Sequence, residues 1–201
     1  MDPKKFAAII LLACALISSA AFAHPTGTMI IVGDHVLWPY INPVDDPDHK
    51  ACIMIWNKNS QPELFIRSQY PASDYMLYSR ESEIYIIERK YLRATEGFEV
   101  RVLKATIGEK PEVIWDWFKD DWRIGEGGFF MLSDLQMVFG QYPDVYTLQK
   151  GGTPTKYFDF KQAIKRIRAV ENNQLLLLGD NACYLTRQKW KHSTGMGSIA
   201  G

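Results

Sequence analysis

The chain has 201 residues, 47% of them hydrophobic and 13% aromatic, which suits one globular domain with a core and excludes a disordered, low-complexity protein. Twenty-three basic side chains balance twenty-three acidic ones, so no net field favours nucleic acid or an anionic membrane.

The first 23 residues form a segment of their own. Lys4 and Lys5 make a short basic region, residues 6–17 are apolar without a charge, and Ala21 and Ala23 stand in an A-x-A arrangement. This pattern predicts a secretory signal peptide cut after Ala23 and a secreted or periplasmic protein. The apolar run is shorter than the roughly 20 residues of a membrane span. Residues 11–14, ending at Cys14, resemble a lipobox, but the apolar run continues past that cysteine.

Beyond the leader, residues 29–32 and 35–41 read as strands, the second marked as edge or bent by Pro39. A loop rich in Pro and Asp follows over 42–50, then strands at 52–56 and 64–67. The next group is the clearest: strands at 75–78, 83–88 and 98–104, closed by the stretch Pro111 to Phe118. Residues 98–104 alternate apolar and polar, as a half-buried antiparallel strand does. Trp115 and Trp117 are two residues apart, so an unbroken strand would place both indoles on one face.

A third group repeats the plan at 129–132, 136–139, 144–148 and 157–160. A fourth starts at 167–170, 175–178 and 183–186 and runs into a small-residue tail over 191–201, which is expected to be disordered. Phe160, Ala163, Ile164, Ile167 and Glu171 stand at helical spacing, a competing signal for a turn or two of helix there. Pro-led aromatic stretches begin at Pro62, Pro111 and Pro154, spacings of 49 and 43 residues.

Four-stranded antiparallel groups recurring every 40–50 residues resemble the blades of a β-propeller, over residues 29–188. The resemblance is to the superfold and to no subfamily: the Gly127-Gly128 and Gly151-Gly152 pairs of the third group do not recur in the second, and no WD40 signature is present. It implies an all-β domain over 24–190 of about four blades, the last incomplete or closed by the N-terminal strand 29–32. It also places the Trp-Asp-Trp stretch as the closing strand of the best-formed blade, with its indoles between blades.

Two cysteines, Cys52 and Cys183, remain after the leader, each following an alanine at the start of an apolar run. Equivalent places in separate repeats lie too far apart for a bridge, so two buried free thiols are expected ahead of a disulfide.

Candidate chemistry is sparse. His24 would become the first residue of the mature chain, and its amine and imidazole with His35 and His49 are donors suited to copper. Asp45, Asp46 and Asp48 cluster in one loop with oxygen donors suited to calcium, though turn formation explains the same residues. These are the metal candidates, and no cofactor is assigned. Asp116, Asp120 and Asp121 flank Trp115, Trp117 and Trp122, a combination found at sugar sites, with a wet strand face and a turn as the ordinary explanation. There is no G-x-S-x-G, H-E-x-x-H, Walker or Rossmann fingerprint. The function expected is a non-enzymatic binding domain presenting loops to a protein or glycan, as a monomer or self-associating to complete the ring. The alternative is a glycan- or peptide-acting hydrolase with its site at the channel.

Overall fold

The computed structural model describes residues 29–41, 47–158, 163–170, 174–179 and 183–185. They form a four-bladed β-propeller of antiparallel sheets. The first blade is β1 (Ile30–Val32), β2 (His35–Tyr40), β3 (Cys52–Asn57) and β4 (Glu63–Arg67), and the second β5 (Ser73–Arg80), β6 (Glu83–Leu92), β7 (Gly97–Ala105) and β8 (Glu112–Lys119). The third is β9 (Phe129–Ser133), β10 (Gln136–Gln141), β11 (Asp144–Gln149) and β12 (Thr155–Phe158); the fourth, among the described residues, is β13 (Arg166–Val170), β14 (Gln174–Leu178) and β15 (Cys183–Leu185). Every blade is a simple meander.

The first strands of the blades are neighbours: β5 packs beside β1 and β9, and β9 beside β13. The first and third hairpin turns of the blades therefore gather at one end of the ring, the turn end, and the second turns lie at the other. The linkers between blades gather at that other end too, the linker end.

Alternation of side chains builds the blades and joins them. On blade 2, Tyr75, Leu77, Ile84, Ile86 and Leu103 face blade 1 and meet Ile30, Val32, Leu37 and Ile53. The opposite face carries Tyr85, Ile87, Val100, Val102 and Trp115, which meet Phe129, Met131, Met137 and Phe139 of blade 3. Phe130, Val138 and Val145 bury against Ile164, Ile167, Leu175 and Leu177 at the seam with blade 4. Each of these three seams is apolar, so removing its surface from water at about 25 cal/mol per Å² is the main force holding blade to blade. Backbone contact adds to it. The Ile167 amide donates to the Gly127 carbonyl at 2.7 Å. A Cβ at Gly128 would stand 2.4 Å from the carbonyl oxygen of Ile167, so only glycine allows blades 3 and 4 to approach there.

Three expectations are corrected. The strand at 29–32 pairs with β2 inside the first blade and does not close the last one. Its alternation buries Ile30 and Val32 equally well in either place, so the burial pattern alone cannot choose the partner. Trp115 and Trp117 do not share a face. Val100 pairs with Phe118 and Val102 with Trp115, so three steps on β8 answer two on β7. The extra residue is a bulge that turns Trp117 over. Trp115 lies buried in the blade 2–3 seam, whereas Trp117 packs on Tyr70 of the linker from blade 1 with ring centroids 5.0 Å apart. Cys52 is buried as expected, its thiol donating to the Tyr40 carbonyl at 3.3 Å, but Cys183 is exposed, because β15 is open to solvent along its length. The competing helical signal near Ile167 gives way to β13, and residues 159–162 and 171 lie outside the described residues.

Candidate functional site

Three polar constellations stand on this frame. The first is at the linker end, where the innermost strands begin. Asp74 is near the start of β5, Glu126 lies just before β9, and Arg166 opens β13. The Arg89 guanidinium reaches up from β6 and binds both carboxylates, Glu126 at 2.7 Å and Asp74 at 3.3 Å. Its plane also lies over the Phe98 ring, 4.8 Å from the centroid. Arg166 donates to the Glu126 carbonyl at 2.7 Å, tying blade 4 to this loop.

Asp120 sits beneath the same loop. It is 96% buried, and its Oδ1 accepts the Ile124 amide at 3.0 Å. Asp120 Oδ2 and Arg89 Nε are both buried with no hydrogen-bond partner. Burial pushes the Asp120 carboxyl above the usual carboxylate range.

The second constellation closes the turn end of the blade 2–3 seam. Arg80 donates to Glu83 at 2.7 Å, to the Tyr85 hydroxyl at 2.6 Å and to the Leu132 carbonyl at 3.1 Å. Lys104 bridges Glu83 at 2.5 Å and Asp134 at 3.0 Å. The Tyr85 hydroxyl lies 2.8 Å from Glu83 and 2.9 Å from Asp134, and the Trp115 indole donates to the Asp134 carbonyl at 2.6 Å. Burial alone would raise the Glu83 carboxyl, but hydrogen bonds from Lys104, Arg80 and Tyr85 outweigh it and hold the group at about 2. Burial foremost, and then the two carboxylates, push the Tyr85 phenol up. Every charge here is answered by another, so the cluster works as a clasp between blades and has no group left for a ligand.

The third lies at the turn end of the blade 1–2 seam, which is not closed. The β3–β4 and β7–β8 turns stand apart there and leave a cleft of about 390 Å³ lined by Trp56, Phe65, His35, Asn57, Glu63 and Glu109, among others. The Trp56 indole donates to the Ser60 carbonyl at 3.0 Å, which fixes the ring across the β3–β4 turn. No Lys or Arg lines the cleft.

The residues singled out in the sequence are distributed as follows. His35 opens β2, opposite Asn57, with Nε2 3.4 Å from the Asn57 amide nitrogen. His49 takes a left-handed backbone conformation, φ 53°, in the loop before β3. Asp48 pairs with Lys50 at 2.9 Å, and the bond to Lys50 holds its carboxyl below the usual range. His24, Asp45 and Asp46 lie outside the described residues, as does Cys14 with the leader. Among the described residues no three His, Cys, Asp or Glu side chains gather as a metal set. Nor is any helix among them long and apolar enough to cross a membrane.

Asp116 is exposed on its strand, and Asp121 pairs with Lys119 at 2.9 Å, so neither joins Asp120 in a carboxylate pair. Sequence reasoning missed Asp74, Arg89 and Glu126: the first two are cross-strand partners on β5 and β6, 15 residues apart, and Glu126, 37 residues beyond Arg89, joins them because blades 2 and 3 are adjacent.

Comparison with protein families and with curated proteins finds no match for the chain. Among solved structures it is similar to the crystal structure of the GH43 BlXynB protein from Bacillus licheniformis, with a TM-score of 0.46 and 11% identity, covering 81% of this chain and 38% of that one.

Proposed function

We propose that this protein is an exported propeller domain that binds a protein or glycan through the loops and turns at the ends of its ring, without catalysing a reaction. Export rests on the basic, apolar and small-residue order of residues 1–23 and places the domain outside the cell or in the periplasm. One observation carries the preference for binding. Where the innermost strands begin, the described carboxylates that face one another, Asp74 and Glu126, are both held by Arg89. Carboxylate oxygens engaged by a guanidinium are not placed to take a proton from a substrate.

A second reading has one observation of its own. Asp120 carries an unpartnered, buried carboxyl oxygen beside this cluster and a raised pKa, the condition in which a carboxylic acid donates a proton. It supports a hydrolase acting on a glycan or peptide at the channel.

The experiment that separates the two offers the mature chain an array of glycans and extracellular proteins and, in parallel, a panel of glycoside and peptide substrates. Retention of a partner with no turnover is expected. Turnover that falls at least a hundredfold in Asp120→Asn would establish the hydrolase reading instead.

A further inference from the structure

The cleft at the open end of the blade 1–2 seam has a chemistry specific enough to name its occupant. We propose that it receives the aliphatic stem and ammonium group of a lysine side chain from a partner polypeptide. This rests on the binding reading above and narrows it to one site.

Four features point to that group. The volume, about 390 Å³, falls in the range of small ligand sites. Ile55, Phe65 and Ile107 supply apolar lining for a methylene chain. Two carboxylates, Glu63 and Glu109, line the cleft and no Lys or Arg does, so the site carries uncompensated negative charge and favours a cation. Trp56 adds an indole whose N–H is already spent on Ser60, so the ring has a π face to offer and no donor. A π face beside carboxylates is the arrangement that attracts an ammonium group.

The same inventory disfavours a sugar, which needs several donors as well as acceptors. The cleft's side-chain donors are few, and the His35 ring and the Asn57 amide already face each other at 3.4 Å. A polypeptide source is favoured over a free amine by what surrounds the cleft. Leu64, which lines the cleft from β4, the outer strand of blade 1, is 51% exposed, an apolar shoulder that the chain bearing the lysine would cover.

The test titrates the full chain with Nα-acetyl-lysine methylamide and with its norleucine counterpart, which has a similar stem and no charge. Saturable binding of the lysine compound is expected, with the norleucine compound at least about tenfold weaker, the factor that a partly desolvated cation–π contact and two carboxylates supply. Trp56→Ala should abolish binding. The double variant Glu63→Gln, Glu109→Gln alters only exposed side chains, so it keeps the fold and should weaken binding about tenfold.

Equal binding of the norleucine compound, or undiminished binding by the Glu63→Gln, Glu109→Gln variant, would overturn the site. A free diamine, pentane-1,5-diamine, that binds more tightly than a lysine-containing peptide would overturn the polypeptide source. If the cleft takes no lysine while the chain still retains a protein or glycan, this inference fails and the broader reading stands. If the lysine compound binds and no protein or glycan is retained, the broader reading fails and the polypeptide source falls with it.

Discussion

Blade 2 has two neighbours and treats them differently. Toward blade 3 the seam is apolar through its middle and sealed at the turn end by Arg80, Glu83, Tyr85, Lys104 and Asp134. Toward blade 1 the middle is equally apolar, yet the turn end opens into a cleft whose carboxylates have no lining cation. Two seams of the same sheet, with the same kind of core, thus end in opposite ways. The lesson is about where charge is spent. In the sealed seam each ion answers another ion of the same chain. In the open one the charge is left for something outside it.

The contrast is sharpest where the sealed seam is weakened. Trp115→Ala removes a fully enclosed indole and its bond to the Asp134 carbonyl, and should cost about 3–5 kcal/mol in denaturant unfolding. A loss below about 1 kcal/mol would mean that the blade 2–3 seam is not packed as described. Next in size is Glu88→Ala. Glu88 is fully buried beneath the linker from blade 1 and accepts from Ser68 at 2.6 Å, Tyr75 at 3.2 Å and Arg101 at 2.6 Å. Deleting it leaves those donors without an acceptor and should cost about 2–4 kcal/mol, while Glu88→Gln recovers part of it.

Acid should act on the clasp. Glu83 is held at about 2 against an ordinary 4.5, so the folded state binds its proton more weakly than the unfolded one. Its contribution is present in full above about 4.5 and is lost as pH falls toward about 2, roughly 1–2 kcal/mol for a group this exposed. Glu83→Gln should flatten that part of the stability–pH curve; an unchanged slope between pH 4.5 and 2 would contradict the clasp. The smallest effect is expected for Asp120→Asn. The amide keeps an oxygen for the Ile124 amide and removes a charge from a buried, unpartnered atom, so stability at neutral pH should rise by up to about 1 kcal/mol. A loss of more than about 1 kcal/mol would show that the second oxygen has a partner after all.

How much of this was legible in the sequence follows from what each signal measures. The alternation of residues 98–104 located β7 to within a residue at each end, because a half-buried strand has no other way to hide its apolar side. Recurrence of such strands was enough to give blades. Pairing partners were not legible: the burial pattern of Ile30 to Val32 states which side is buried and is silent on the neighbouring strand. The bulge in β8 was also hidden, since Asp116 has no special backbone requirement. Phe118, three residues beyond Trp115 and 6.1 Å from it between ring centroids, is the trace it leaves in the sequence. The cleft was the least legible feature. Trp56 and Glu63 belong to blade 1 and Glu109 to blade 2, and none stands out until a ring places the β3–β4 and β7–β8 turns side by side.

The most direct test of the difference between the two seams follows the indole N–H resonances of the six tryptophans while the lysine compound is added. The Trp56 signal should shift and saturate while the Trp115 signal, locked onto the Asp134 carbonyl, stays in place. A Trp115 shift with Trp56 unmoved would contradict that difference.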